Sequence, residues 1–284
     1  MTYKDISYAS SDGLTLYARD YGPAQAPVIL CLHALTRNSA DFEMLAPHLA
    51  SHYRVICPDQ RGRGRSDYSP NPQLYRPDVY AQDMIELIRH LKLKSVTIIG
   101  TSLGGLMAMI MAAFIGHNIK TVILNDIGPE IDPIGLARIQ SYVGNKASFS
   151  SWKDAAQAVK KTNGIIFPDY NEAAWIAFAK RCCIERGGEI VFNYDPAISE
   201  NVKAPQSNAA PPDLWPIFEA MTGIPILVIR GETSDLLSPS IVARMESSHP
   251  NCRAVTIPNI GHAPMLDEAE ALGAIDTFLA ENNS

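Results

Sequence analysis

Residues 95–116 read SVTIIGTSLGGLMAMIMAAFIG, and this stretch decides the fold. Val96 to Ile99 is an unbroken β-branched run, the pattern of a strand covered on both faces in a parallel sheet. An apolar run of about 14 residues, Leu103 to Gly116, follows almost at once. It falls short of the roughly 20 residues that span a bilayer, so it reads as a buried helix. Between the two stands Gly100-Thr101-Ser102-Leu103-Gly104, a Gly-x-Ser-x-Gly pentapeptide. A strand-to-helix turn this tight forces its apex residue into strained φ/ψ, and the neighbours two positions away must be small. The Ser102 hydroxyl is thereby lifted above the sheet. There the first N–H groups of the helix favour developing negative charge.

Working outward, short apolar runs recur: VILCL (28–32), VIC (55–57), VIL (122–124), ILVI (226–229) and AVTI (254–257). Helical spacing separates them. Phe42, Leu45 and Leu49 form one stripe, with Asn38 or Ser39 as its N-cap; Tyr80, Met84, Leu87 and Leu91 form the next. The last stripe is Met265, Ala269, Leu272, Ile275 and Leu279. Strand alternating with helix predicts an α/β protein with a mostly parallel, doubly wound sheet. Ile6–Asp20, with Asp12-Gly13 as its turn signal, reads as an antiparallel hairpin at the sheet edge.

One gap breaks the rhythm. About 100 residues separate VIL at 122 from ILVI at 226, too many for a single crossover helix. The block 128–218 holds all three tryptophans and half of the aromatic residues, and returns through KAPQSNAAPPDLWP (203–216). It reads as a mostly helical lid inserted into a core formed by 1–127 and 219–284. An independent second domain is the alternative.

Composition narrows the partners. The chain has 284 residues, 24 Lys+Arg and 30 Asp+Glu, for a formal charge of −6. An acidic balance argues against nucleic acid or an anionic membrane surface. Arg61, Arg63 and Arg65 sit together in one Gly-rich loop and read as structural. The opening MTYKDISYAS lacks the zones of a secretion signal. Five cysteines, at 31, 57, 182, 183 and 252, show neither CxxC nor metal spacing, which points to a reducing, cytoplasmic setting. The expected partner is a small-molecule substrate, and the chain is expected to be a monomer or homodimer.

A serine hydroxyl needs a base to take its proton, and the base needs a third group to hold its tautomer. Of seven histidines, His90 and His117 sit at helix ends and His249 precedes a proline. His48 and His52 are spaced i, i+4, but no HExxH glutamate or third ligand accompanies them, so no metal is expected. His262, in NIGHAPML, follows the last strand and opens the final helix, on the same sheet edge as Ser102. For the acid, Asp235 in ILVIRGETSDLLS is favoured, giving the chain order Ser102, Asp235, His262. Asp126, ending VILND, is the main rival and Glu232 a lesser one.

LHALTRNSADF (32–42), PDQRGRGRSD (58–67), GTSLGG (100–105), NDIGPEID (125–132), RGETSDLLS (230–238) and NIGHAPML (259–266) run in one order along nearly the whole chain. In this the chain resembles the α/β-hydrolase-fold serine hydrolases. The resemblance implies a sheet of about eight strands with a lid after strand six, and a triad of Ser102, His262 and Asp235. It also implies that Asp59, Arg61 and Ser66 brace the loop after strand four. Two backbone N–H groups, of Leu103 and Leu35, are implied as an oxyanion hole; the loop reads His33-Ala34-Leu35 where relatives read His-Gly-x. His33 is then structural.

The implied activity is hydrolysis of a small apolar carboxylic ester or lactone without cofactor or metal. Trp152, Trp175, Phe178 and Trp215 are the expected apolar pocket wall. Cleavage of a carbon–carbon bond beside a ketone, as in aromatic ring-fission products, is the alternative, and a small-molecule receptor on the same scaffold is a third reading. A serine apex argues against the dehalogenase and epoxide hydrolase chemistries, which use aspartate there.

Overall fold

The structure is a computed structural model that describes residues 2–203 and 213–282. Most of the KAPQSNAAPPDLWP return therefore lies outside the described residues. The chain enters as an antiparallel hairpin, β1 (Lys4–Ala9) and β2 (Thr15–Tyr21), which turns at Gly13 with φ +87°. Next come β3 (Val28–Leu32), α1 (Leu45–Leu49), β4 (Arg54–Asp59), α2 (Pro77–His90), β5 (Val96–Thr101), α3 (Leu103–Ile115) and β6 (Ile119–Asn125). An inserted segment carries α4 (Pro133–Tyr142), β7 (Ser148–Phe149), α5 (Trp152–Asn163), α6 (Glu172–Cys182), β8 (Cys183–Arg186), β9 (Glu189–Phe192), α7 (Ser199–Lys203) and α8 (Trp215–Ala220). β10 (Ile226–Gly231), α9 (Pro239–Ser248), β11 (Cys252–Ile257) and α10 (Ala269–Asn282) close the fold.

The main sheet has eight strands in the order β1-β2-β4-β3-β5-β6-β10-β11. From β4 to β11 every pairing is parallel, and the two edge pairings of β2 are antiparallel. Alternate strand residues serve opposite layers, as the strand period requires. Leu30, Ile98, Val122, Leu124 and Val228 pack with Met84 and Leu87 of α2 and Met107 and Met111 of α3. Ile29, Cys31, Ile99, Ile123 and Ile229 pack with Leu45 and Leu49 of α1 and Ile275 and Leu279 of α10. Covering both faces is why these strands read as continuous apolar runs. Each fully buried Leu or Ile contributes about 1.5–3 kcal/mol.

Three local expectations shift. The Phe42–Leu49 stripe is split between a 3-10 turn, Ser39–Phe42, and α1; Asn38 caps the turn by accepting the Ala40 N–H at 2.9 Å. The final helix starts at Ala269, so His262 and Met265 lie in the loop before it rather than in its first turn. The inserted segment also carries a small antiparallel sheet, β7-β9-β8, besides its helices. Its strands are two to four residues long, too short for alternation to show. This segment has an apolar cluster of its own around Val159, Phe167, Trp175 and Phe178, against which Ile260 and Met265 of the β11–α10 loop pack.

The β5–α3 turn admits no bulk. A Cβ on Gly100 would lie 2.5 Å from the Gly104 carbonyl carbon, and one on Gly104 would lie 2.1 Å from the Leu32 carbonyl oxygen. Both obstacles are backbone and cannot rotate away. Gly104→Ala is expected to cost about 1–3 kcal/mol by overpacking. The urea midpoint of unfolding should fall, and an unchanged midpoint would contradict this packing.

Candidate active site

Ser102 sits at φ +52°, ψ −115°, a left-handed backbone for a residue with a side chain. Such strain costs on the order of 1–3 kcal/mol and persists only when its surroundings over-determine it. Here the Ser102 N–H donates to the Asn125 carbonyl at 3.0 Å, and the Ser102 carbonyl accepts from Gly105 N at 2.9 Å. The hydroxyl thereby meets His262: Oγ to Nε2 is 2.9 Å. The other ring nitrogen, Nδ1, lies 2.7 Å from Oδ2 of Asp126. Asp126 is fully buried, and its Oδ1 accepts the Gly231 N–H at 2.8 Å while Oδ2 also accepts the Ser234 hydroxyl at 2.5 Å. A carboxylate on Nδ1 selects the tautomer with its proton there, leaving the Nε2 lone pair toward the serine.

Asp235 is therefore not the acid that meets His262, contrary to the reading from chain order. Its carboxylate accepts two hydrogen bonds from Arg138 of α4, at 2.5 and 2.8 Å. Burial pushes the Asp235 carboxyl up, but the hydrogen bonds and charge of Arg138 outweigh it and hold the group below its ordinary value. The reason is local. After β10 the chain turns on Ser234, whose Oγ accepts the N–H groups of Leu236 and Leu237 and donates back to Asp126. The next residue, Asp235, faces the inserted segment. Asp126 directly follows β6, which pairs with β5, the strand that Ser102 directly follows, whereas β10 is one strand further away. Glu232 is occupied elsewhere, accepting the Asn259 N–H at 2.9 Å.

Residues 27–269 match the family model of the alpha/beta hydrolase fold. The chain belongs to the α/β-hydrolase family. It is 36% identical over 248 residues to the 3-hydroxybutyrate-oligomer hydrolase of Cupriavidus necator, covering 85% of this chain and 84% of that one. It is 30% identical to the 2-(acetamidomethylene)succinate hydrolase of Mesorhizobium japonicum, covering 88% and 85%. An α/β hydrolase from Novosphingobium aromaticivorans superposes with a TM-score of 0.92 at 44% identity, over 99% of both chains.

The two residues that this α/β hydrolase is expected to use as oxyanion donors have free amides. Leu103 N, in the first turn of α3, and Leu35 N, beside Ser102 in the same cavity wall, have no acceptor among the described residues. The Leu35 carbonyl is held from behind by Nε of Arg63 at 2.9 Å. His33 lies beneath: its Nε2 accepts the Gln60 N–H at 3.0 Å and its Nδ1 meets the Ala34 carbonyl at 2.7 Å. The loop after β4 is braced by Asp59, which accepts from Ser39 N and Arg65 N, and by the Ser66 hydroxyl on the Asp59 carbonyl. Arg61 is bound between Asp12 and Asp83. Arg63 is buried beside it, whereas Arg65 is exposed and pairs with Asp5 at 3.0 Å.

Ser102 and His262 open on a cavity of about 110 Å³, small beside the roughly 300–1,000 Å³ of drug-sized sites. Of the four aromatic residues expected in its wall, Phe178 is there, and the three tryptophans are not. Trp175 is buried against Phe167 and Phe178; Trp152 carries Lys180 over its ring. Trp215 packs in the layer of α2 and α3, donating to Glu130 at 3.1 Å under the Arg244 guanidinium. Large rings fill cores by default, as Trp175 and Trp215 do, while Trp152 is partly buried at the edge of the inserted segment's cluster.

Among the described residues no cluster of three His, Cys, Asp or Glu could hold a metal, and no helix is long and apolar enough to cross a membrane. His48 instead pairs with Asp276 at 2.9 Å. The sequence reading gave no role to Asn125, Ser234 or Arg37. A signal existed for the first: two polar residues, Asn125-Asp126, abruptly end a buried apolar strand.

Burial lowers the His33 pKa from the ordinary 6.5 to about 3, so the folded protein keeps this ring neutral. Above pH about 6.5 both folded and unfolded forms are neutral and the full stability is present. Below it the unfolded chain takes up the proton first. This one group then removes about 1.4 kcal/mol per pH unit until its folded pKa is reached. The ¹⁵N shifts of His33 should remain those of a neutral imidazole from pH 8 to pH 5, and a titration near 6.5 would contradict its burial.

Proposed function

We propose that this α/β hydrolase is a serine hydrolase of small carboxylic esters, including lactones, with Ser102 as nucleophile, His262 as general base and acid, and Asp126 as the orienting carboxylate. The observation that carries the reading is the unbroken line from Ser102 Oγ through the His262 ring to Asp126, at 2.9 and 2.7 Å. Nε2 takes the hydroxyl proton as Oγ attacks the substrate carbonyl. Asp126 stabilises the imidazolium without taking its proton. Negative charge on the former carbonyl oxygen goes to the N–H groups of Leu35 and Leu103, an arrangement in which one donor is typically worth about 10²–10³ in rate. His262 returns the proton to the leaving alcohol, and water then repeats the sequence on the acyl-enzyme. The cavity volume favours a short ester over a bulky aromatic ring-fission product. The 3-hydroxybutyrate oligomers named for the Cupriavidus relative are compatible with this choice.

A fluorophosphonate probe should add to Ser102 in the wild type and not to Ser102→Ala. An unlabelled Ser102 in protein that turns over short esters would refute nucleophilic catalysis. The two acids separate cleanly: Asp126→Asn should lower kcat by about 10⁴, the scale of losing the orienting acid elsewhere. Asp235→Asn should lower it less than about tenfold, because that carboxylate holds Arg138 and not His262. The reverse ranking in steady-state kinetics would overturn the assignment of the acid.

A further inference from the structure

Arg37 stands in the wall of the cavity that holds Ser102 and His262, and no step of the proposed hydrolysis uses it. Among the residues lining that cavity it is the one Lys or Arg. Its guanidinium is fixed from three directions. Nε and Nη2 donate side-on to the Asp41 carboxylate at 2.5–2.9 Å, and Nη1 donates to Cys182 Sγ at 2.9 Å. The Phe178 ring lies against its face, 4.0 Å from the cation to the centroid. A guanidinium has five N–H donors, and these contacts use three. One N–H on each terminal nitrogen is left without an acceptor among the described residues.

The Arg37 side chain is 12% exposed, and unspent donors on a largely buried arginine are costly unless something accepts from them. Two donors on neighbouring nitrogens of a rigid plane match the two oxygens of a carboxylate. We propose that Arg37 is a recognition group for a carboxylate carried by the substrate, so that this site takes short esters whose acyl chain ends in a free acid. The assignment rests on Ser102 being the nucleophile in the same cavity. Asp41 cancels most of the charge of Arg37, so the contact selects for geometry more than for charge, and a moderate preference follows rather than an absolute one. Cys182 adds no competing negative charge, because burial pushes its thiol up to about 11.

The test compares monomethyl succinate with its uncharged isostere methyl 4-methylpentanoate, following methanol release. The wild type should favour the anion by about tenfold or more in kcat/KM. Arg37→Met should erase that ratio mainly through KM, Arg37→Lys should keep part of it, and Asp41→Asn should raise it by freeing the cation. Equal use of the two esters by the wild type, or an unchanged ratio in Arg37→Met, overturns the proposal. Should Arg37→Met fail to fold, Asp41→Asn still decides, since an unchanged or lowered ratio refutes it. Calorimetric binding of monomethyl succinate to Ser102→Ala reads the same contact without turnover, and adding Arg37→Met should weaken it at least tenfold. Turnover of the neutral ester without anion preference sinks the Arg37 assignment alone. An unreactive Ser102 in protein that still binds the anion through Arg37 sinks the nucleophile alone.

Discussion

The end of β6 governs the rest of the molecule. A fully buried carboxylate is tolerated only when its oxygens are satisfied, and Asp126 collects three hydrogens from three places: the Gly231 amide, the Ser234 hydroxyl and the His262 ring. Its own N–H is bound to the Ile229 carbonyl at 2.7 Å. One residue earlier, the Asn125 carbonyl holds the strained Ser102 N–H, and its side-chain amide donates to Thr101 and to the Pro264 carbonyl in the histidine loop. A single dipeptide thus joins the serine turn, the histidine loop and the loop after β10. Removing one partner of a buried charge costs about 3–5 kcal/mol. The Ser102–His262 geometry and the packing of three loops therefore depend on the same few atoms, and the backbone strain at Ser102 is held by contacts of the same dipeptide.

What could be read from the chain follows the range of the forces involved. Strands, helices and the serine turn are written in local periodicity, and the Gly100–Gly104 spacing states a steric need within five residues. His262 was legible because it lies in the stretch after the last strand, on the same sheet edge as Ser102. The acid was not. Asp126 and Asp235 both stand at strand ends on the correct edge, and the choice depends on which way one loop residue turns. Ser234 turns inward to cap two amides and meet Asp126, which sends Asp235 toward Arg138. Nothing in the spacing encodes that rotation. The tryptophans illustrate the same limit: aromatic density drew attention to the segment between β6 and β10 but did not separate rings that face a cavity from rings that do not.

The carboxylate that does not meet His262 has a different task. Asp235 grips α4 through Arg138, while its carbonyl accepts the Gly135 N–H and the Leu236 carbonyl accepts the Asp132 N–H, both at 3.0 Å. Further ties follow around the rim: Gly261 N to the Ile166 carbonyl, Asp195 N to the Gly62 carbonyl, and the Asn38 side chain to the Arg181 carbonyl. Apolar contact alone would let a segment slide over the sheet, since it has little directional preference. Hydrogen bonds at several separated points fix both distance and orientation. The Arg37 contacts to Asp41 and Cys182 belong to this stitching, for Cys182 is the last residue of α6. These ties run around the rim of the cavity of about 110 Å³ and restrict how the inserted segment can sit over it. For the hydrolysis proposed above, short length and a matching polar end are the properties that such a site would distinguish.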